Sequence, residues 1–297
     1  MDPDLLRYRL SGAMTALVTP FREGEVDHAA FGELVEWQIE QGIDALVPCG
    51  TTGEASSFCG NERKAVIGHC IEVAAGRVPI IAGTGTNDTQ ATIDFTAGAQ
   101  ALGADAALIV TPYYNRPGPE GVFRHFEAIA RAVDIPIILY NVPSRTGVDL
   151  TLDTLERLAE IPNIIGLKDA TGDLSRPPAL SSRLGERFIQ LSGHDATAMA
   201  FNLMDGRGTI SVVANIAPRL CAELNAACRC EDVPAARAIQ ARLQPLIAAL
   251  ERETNPGPVK HALHVLRGLP PGLRLPLVPV ARATAEAIEV ALSGIHL

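Results

Sequence analysis

Short, almost unbroken apolar runs recur along the first two-thirds of the chain: Ala13–Val18, Ile43–Pro48, Val78–Ala82, Ala106–Thr111, Ile135–Tyr140, Ile164–Lys168, Phe188–Ser192 and Gly208–Val213. None alternates strictly between apolar and polar positions, so each predicts a strand of a parallel sheet covered on both faces. The segments between them carry apolar residues at helical spacing. Asn61 stands before Glu62–Ile67 and Asn87-Asp88 before Thr89–Ile93, while Asp153 and Asp173 open two more. These side chains accept hydrogen bonds from the free N–H groups of a first helical turn.

Eight strand–helix units in succession predict an α/β fold of the (β/α)8 TIM-barrel type, whose usual size is about 250 residues. A doubly wound open sheet is the competitor. It wants a glycine-rich dinucleotide turn, and Gly83-Thr84-Gly85-Thr86-Asn87-Asp88 lacks the third glycine. From Pro218 onward Ala and Leu fall at helical spacing, with breaks expected at Pro245, Asn255–Pro258 and Pro270-Pro271-Gly272. The expected organisation is a catalytic barrel over 1–217 and an appended C-terminal helical subdomain over 218–297, with no linker between them.

Composition sets the class of partner. The 297 residues are 47% hydrophobic and 20% charged, and Lys+Arg of 25 against Asp+Glu of 34 leaves a net charge of −9. That balance argues against a nucleic-acid backbone or an anionic membrane surface as partner. No apolar run approaches the ~20 residues of a membrane span, and Met1–Leu10 lacks a signal-peptide core, so a cytoplasmic protein is expected. The six cysteines show no zinc-type spacing, and the pair His261 and His264 has no acidic or cysteine partner at ligand spacing, so no metal is expected.

Lysine is scarce: only Lys64, Lys168 and Lys260 occur. Lys64 lies among polar residues at a helix start and Lys260 follows Asn255-Pro256-Gly257-Pro258, but Lys168 interrupts an apolar run. Chemistry in a barrel of this type gathers at the C-terminal ends of the strands. Those ends read Gly50-Thr51-Thr52-Gly53-Glu54, Gly83–Asn87, Thr111-Pro112-Tyr113-Tyr114-Asn115, Tyr140–Arg145, Lys168-Asp169 and Gly193-His194-Asp195. A lysine amine desolvated behind Ile164–Leu167 keeps its lone pair free to attack a carbonyl and form a Schiff base. The competing reading is that Lys168 runs out of the strand end or pairs with Asp169. Three tyrosines on the same rim favour chemistry, because phenols carry protons to and from carbinolamines. Glycines around Thr51-Thr52 let successive N–H groups turn toward one anion, although a plain strand-to-helix turn has the same composition. His194 is expected on the rim as a solvated loop residue.

The blocks GTTGEAS (Gly50–Ser56), IAGTGTN (Ile81–Asn87), TPYYNRP (Thr111–Pro117), YNVPSRTG (Tyr140–Gly147), GLKDATG (Gly166–Gly172) and NPGPVK (Asn255–Lys260) together resemble the dihydrodipicolinate synthase family of pyruvate-dependent class I aldolases. The resemblance runs through nearly the whole chain in order and spacing. It implies that Lys168 forms an imine with pyruvate, whose carboxylate lies on the Thr51 and Thr52 amides. Tyr140 shuttles protons, and Thr51 links it to Tyr114, contributed across a dimer interface. Arg145 binds the carboxylate of aspartate semialdehyde, and Gly193 and Ile210 offer backbone groups near the pyruvate-derived carbon. The imine nitrogen is then the electron sink, so neither a metal nor pyridoxal phosphate is required. A homotetramer built as a dimer of dimers is implied as well.

One part of the family pattern is broken. Lysine-inhibited relatives hold their effector with a Ser, a His pair, an Asn, a Glu and the first Tyr of TPYYN. This chain keeps Asn87 and Tyr113 but has Ala55, Gly60, Arg63 and Ala91 at the other positions. With no carboxylate at Ala91 and a like charge at Arg63, inhibition by L-lysine is expected to be weak or absent. Within the same family a lyase for sialic acid, a keto-deoxy sugar acid or hydroxy-oxoglutarate is the rival. Arg145 speaks against it. A catalytically silent keto-acid-binding barrel is the rival outside enzymology, and the intact Lys168, Tyr140, Thr51 and Tyr114 speak against that.

Overall fold

The computed structural model describes residues 9–295. Most of the N-terminal stretch read for a leader, residues 1–8, lies outside the described residues.

All eight apolar runs form parallel strands: β1 (Gly12–Ala16), β2 (Ala45–Val47), β3 (Ile81–Gly83), β4 (Ala106–Val110), β5 (Ile137–Asn141), β6 (Ile164–Asp169), β7 (Ile189–Ser192) and β8 (Gly208–Ser211). Their order around the sheet is β2-β1-β8-β7-β6-β5-β4-β3, and a parallel bridge from Leu46 to Ile80 closes the ring between β2 and β3. The strands are shorter than the apolar runs. Beside β3, for instance, Pro79 has no N–H to give to a ladder, and pairing begins at Ile80.

Burial on both faces explains the continuous hydrophobicity. One set of side chains, including Met14, Ala16, Ala45, Val47, Ile81, Ala106, Leu108, Ile138, Tyr140, Ile189, Leu191 and Ile210, packs together inside the barrel. The alternate set meets the surrounding helices, as Ile109, Ile137, Leu139 and Leu167 meet Phe126, Ile129, Leu155 and Leu180. Because side chains alternate along a strand, Lys168, two residues after the barrel-facing Gly166, belongs to the interior set while Asp169 faces outward.

The helices that position the rim are α1 (His28–Glu40), α2 (Gly60–Ala74), α3 (Thr89–Leu102), α4 (Pro119–Ala132), α5 (Leu152–Ala159), α6 (Arg176–Leu184), α7 (Ala198–Asn202) and α8 (Pro218–Arg229). Asp88 caps α3 as expected, its carboxylate accepting from the Ala91 N–H at 2.7 Å. Three other starts fall differently. Asp173 stands ahead of the α6 start, where Ser175 directly precedes Arg176, and its carboxylate accepts from the Ser175 N–H at 2.9 Å. Thr151, rather than Asp153, caps α5 by accepting from Thr154 at 3.2 Å. The α2 helix begins one residue before Asn61, where the Glu62 carboxylate reaches back to the Cys59 N–H at 3.0 Å.

Three more helices follow: α9 (Val233–Leu250), α10 (Gly257–Arg267) and α11 (Arg282–Ser293). The expected break at Pro245 does not occur, because Pro245 lies inside α9. An interior proline costs about 3 kcal/mol, but Leu243, Leu246, Ile247, Ala249 and Leu250 are all buried around it, and that packing holds the helix through. One hydrophobic cluster joins these helices to the barrel's first helices, with Leu246, Ile247, Val259, Leu263 and Ile288 packed in the same core as Phe31, Leu34, Val66 and Ile67. No helix among the described residues is long and apolar enough to cross a membrane.

Candidate active site

Lys168 sits at the C-terminal end of β6, in register with Tyr140 on β5 and Leu191 on β7. Its side chain is only 6% exposed, and its Nζ lies over the Tyr140 ring, 4.3 Å from the centroid. Tyr140 is itself 7% exposed. The alternative partner Asp169 is fully engaged elsewhere. It is buried on the outer face, where Arg176 Nε donates to it at 2.7 Å and Thr171 donates through its N–H at 2.8 Å and its hydroxyl at 2.5 Å. Among the described residues no carboxylate pairs with Lys168. A buried amine with an aromatic face beside it can add to a carbonyl carbon.

Room for that lysine depends on Gly193, which follows β7. A Cβ there would lie 2.8 Å from Lys168 Cε and 2.9 Å from Ala170 Cβ. Gly193 is held in place by its own N–H, which donates to the Asp169 carbonyl at 2.6 Å. Ile210, on β8, is buried among the interior side chains that also include Tyr140.

The loop after β2 is a tight turn bracketed by two left-handed residues, Cys49 (φ 57°) and Glu54 (φ 56°). Gly53 donates to the Gly50 carbonyl and Glu54 to the Thr51 carbonyl, each at 3.1 Å, and Thr19 Oγ1 donates to the Gly53 carbonyl at 2.9 Å. Among the described residues the Thr51 and Thr52 amides enter no backbone hydrogen bond. Such a turn offers its unused N–H groups to an anion.

Several residues from the far end of the chain complete this rim. Asn255 Nδ2 donates to Thr52 Oγ1 at 2.9 Å, while its carbonyl accepts from Arg145 Nη2 at 3.3 Å. Lys260 Nζ meets Glu54 Oε1 at 2.7 Å, with the two side chains 1% and 2% exposed. Burial pushes the Lys260 ammonium below its usual range, and the Glu54 carboxylate opposes that shift. Arg274 donates its N–H to Glu54 Oε2 at 3.1 Å and pairs through its guanidinium with Glu62, whose carboxyl it pulls down to about 2. The sequence block NPGPVK was visible, but no role attached to Asn255, Glu54 or Lys260. The scarcity of lysine is the one sequence signal that could have found Lys260.

Tyr114 is 91% exposed and left-handed at φ 71°, and no contact among the described residues joins it to Thr51 or Tyr140 within this chain. His194 is a partly exposed rim residue whose Nδ1 lies 3.0 Å from Thr197 Oγ1 and whose Nε2 lies 3.8 Å from Glu251.

Of the positions that the resemblance assigns to an effector, Ala55, Gly60 and Arg63 lie together. Arg63 is buried, donating to the Gly83 carbonyl at 2.8 Å and the Ala55 carbonyl at 2.9 Å, and its guanidinium lies 4.5 Å from the centre of the Phe95 ring. The same ring edge stands 3.4 Å from where a Gly60 side chain would begin. Burial lowers the Arg63 pKa, and the neighbouring Cys49 and Tyr113 partly offset this. Ala91 stands on the first turn of α3, and Asn87 lies just before that helix, its carbonyl accepting from Asn115 at 2.9 Å.

A sequence model of the Dihydrodipicolinate synthetase family matches residues 9–295. A 4-hydroxy-tetrahydrodipicolinate synthase of Parvibaculum lavamentivorans is 52% identical over 96% of this chain and 98% of its own. One of Hyphomonas neptunium is also 52% identical, over 95% and 97%. Among solved structures, the chloride-inhibited dihydrodipicolinate synthase of Acinetobacter baumannii, complexed with pyruvate, superposes with a TM-score of 0.94 at 49% identity, over 96% of this chain and 98% of that one.

Proposed function

The chain belongs to the dihydrodipicolinate synthetase family, and from that premise we propose that it condenses pyruvate with L-aspartate 4-semialdehyde, through an imine on Lys168, to give 4-hydroxy-tetrahydrodipicolinate for lysine and diaminopimelate biosynthesis. The observation that carries this reading is the buried Lys168 amine, lying over Tyr140 while its neighbour Asp169 is taken by Arg176.

The Lys168 amine adds to the keto carbon of pyruvate, and loss of water leaves an imine. The pyruvate carboxylate rests on the Thr51 and Thr52 amides. Loss of a methyl proton then gives an enamine, with the imine nitrogen accepting the electron pair, so the reaction calls on no metal and no pyridoxal phosphate. The enamine carbon attacks the aldehyde carbon of the second substrate, whose carboxylate pairs with Arg145, and the aldehyde oxygen takes up a proton. The amine of the semialdehyde finally displaces Lys168 from the former keto carbon, closing the ring and freeing the enzyme. Tyr140 moves the protons. Thr51 connects it to Tyr114 of a second copy, which accounts for a tyrosine left 91% exposed on a left-handed backbone in the single chain. Gly193 and Ile210 line the pyruvate-derived carbon. In this reading the catalytic unit is the 1–217 barrel, the helices of 218–297 are its appended subdomain, and the assembly is a cytoplasmic homotetramer of paired dimers.

Trapping with pyruvate and borohydride tests the imine. A stable mass gain on Lys168, lost in Lys168→Ala together with turnover, is the expected result. No adduct on the parent chain, or cleavage of a sugar acid in preference to the condensation, would refute the assignment.

A further inference from the structure

The Gly50–Glu54 turn has to keep an unusual shape. Glu54 is a non-glycine residue at φ 56°, and the turn presents two adjacent amides that make no backbone hydrogen bond among the described residues. Left-handed backbone at such a residue persists where its surroundings over-determine it. Besides Thr19, which bonds the Gly53 carbonyl, and the Arg274 N–H, which meets Glu54, the turn is held by one short stretch more than two hundred residues away in sequence. Asn255 Nδ2 donates to Thr52 Oγ1, on the binding side of the turn, and Lys260 Nζ meets Glu54, on its exit side. Phe21 lies against this ion pair, its ring centre 4.2 Å from Lys260 Nζ, and closes it from water. The same Asn255 accepts from Arg145 through its carbonyl, so one residue touches both proposed carboxylate sites by different groups.

We propose that Asn255 and Lys260 are positioning residues: acting through Thr52 and Glu54, they clasp the turn in the shape that presents its Thr51 and Thr52 amides to the pyruvate carboxylate. This rests on reading Lys168 as the imine-forming residue. The clasp gives the C-terminal helices a part in substrate binding, since α10 supplies Lys260 and the loop before it supplies Asn255.

The experiment is the pyruvate dependence of borohydride trapping in the full-length protein, alongside steady-state kinetics for both substrates and thermal unfolding. Two variants are used. Asn255→Ala removes the side-chain bond to Thr52 and keeps the backbone carbonyl that Arg145 meets. The double variant E54Q/K260M removes both buried charges together, so that neither is left unpaired. Both are expected to raise the half-saturating pyruvate concentration by about tenfold, the effect of losing roughly one hydrogen bond, with the semialdehyde KM unchanged and the adduct still on Lys168. Folded variants with lowered thermal stability but the parental pyruvate dependence would make the pair purely structural and overturn the proposal. An equal rise in both KM values would overturn it too, by placing the effect outside the turn. If the parent chain itself traps no pyruvate, the imine reading falls and the clasp with it, an outcome distinct from normal trapping in the parent and its variants alike.

Discussion

Adding one methyl group at Gly193 tests the central geometry at a point that carries no side chain and no charge of its own. The Cβ of Gly193→Ala would stand 2.8 Å from Lys168 Cε, 2.9 Å from Ala170 Cβ and 3.2 Å from the Asp169 carbonyl oxygen. Carbon atoms rest at about 3.5–4.0 Å from one another, so the end of the lysine must give way by about 1 Å. It has little space to do so, since Lys168 is 6% exposed with the Tyr140 ring beside its Nζ. Gly193 is not in a left-handed conformation, so the substitution adds no backbone strain of that kind to confuse the result. A displacement of about 1 Å at a reacting group costs on the order of 10²-fold in rate, equivalent to about 2.7 kcal/mol in the barrier. The assay is single-turnover trapping of the pyruvate imine by borohydride, with mass spectrometry reading the adduct and a reductase-coupled assay reading turnover. Slow adduct formation in a protein that unfolds near the parental temperature is expected. Parental turnover in a folded Gly193→Ala chain would show that Lys168 does not act from the position described, and would refute the reasoning.

Two further outcomes follow from the same coordinates. Millimolar L-lysine is expected to leave the initial rate unchanged, because at the positions that the resemblance assigns to an effector Ala91 offers no carboxylate to its ammonium and Arg63 brings a like charge; inhibition at sub-millimolar concentration would refute this. His125, in α4, is buried with Nδ1 2.9 Å from Thr89 Oγ1, and burial pushes its imidazole down to about 4. The unfolded chain therefore binds more protons between its ordinary value near 6.5 and about 4, so stability is complete above that window and falls as pH drops through it, by about 3 kcal/mol at most. Urea unfolding at pH 7 and pH 4.5 measures the loss, which His125→Leu should reduce; an unchanged acid sensitivity in that variant would assign the effect to other groups.

Much of this was legible in the residue order. Eight apolar runs marked the strands because each strand is covered on both faces, and an inward lysine on the sixth was visible because ammonium groups are rare within such runs. Pro245 predicts a break that does not form, because local propensity carries no record of the core that α9 packs against. Lys260 was passed over because nothing near it in sequence resembles a partner. Its carboxylate, Glu54, is 206 residues away.

The sequence by itself determined what is encoded by period and by chemical type: the barrel, the strand ends, Lys168 among apolar neighbours, and the glycine-flanked threonine turn after the second strand. Tertiary structure decided which groups meet. Closure of the ring set Lys168 against Tyr140 and drew Gly193 so near that a methyl group has no room. Docking of the last helices brought Asn255 to Thr52 and Lys260 to Glu54. It was also packing that buried Arg63 against the Phe95 ring. Alternation and propensity act over a few residues, whereas these contacts are selected by the burial of whole faces, and only the folded chain brings those faces together.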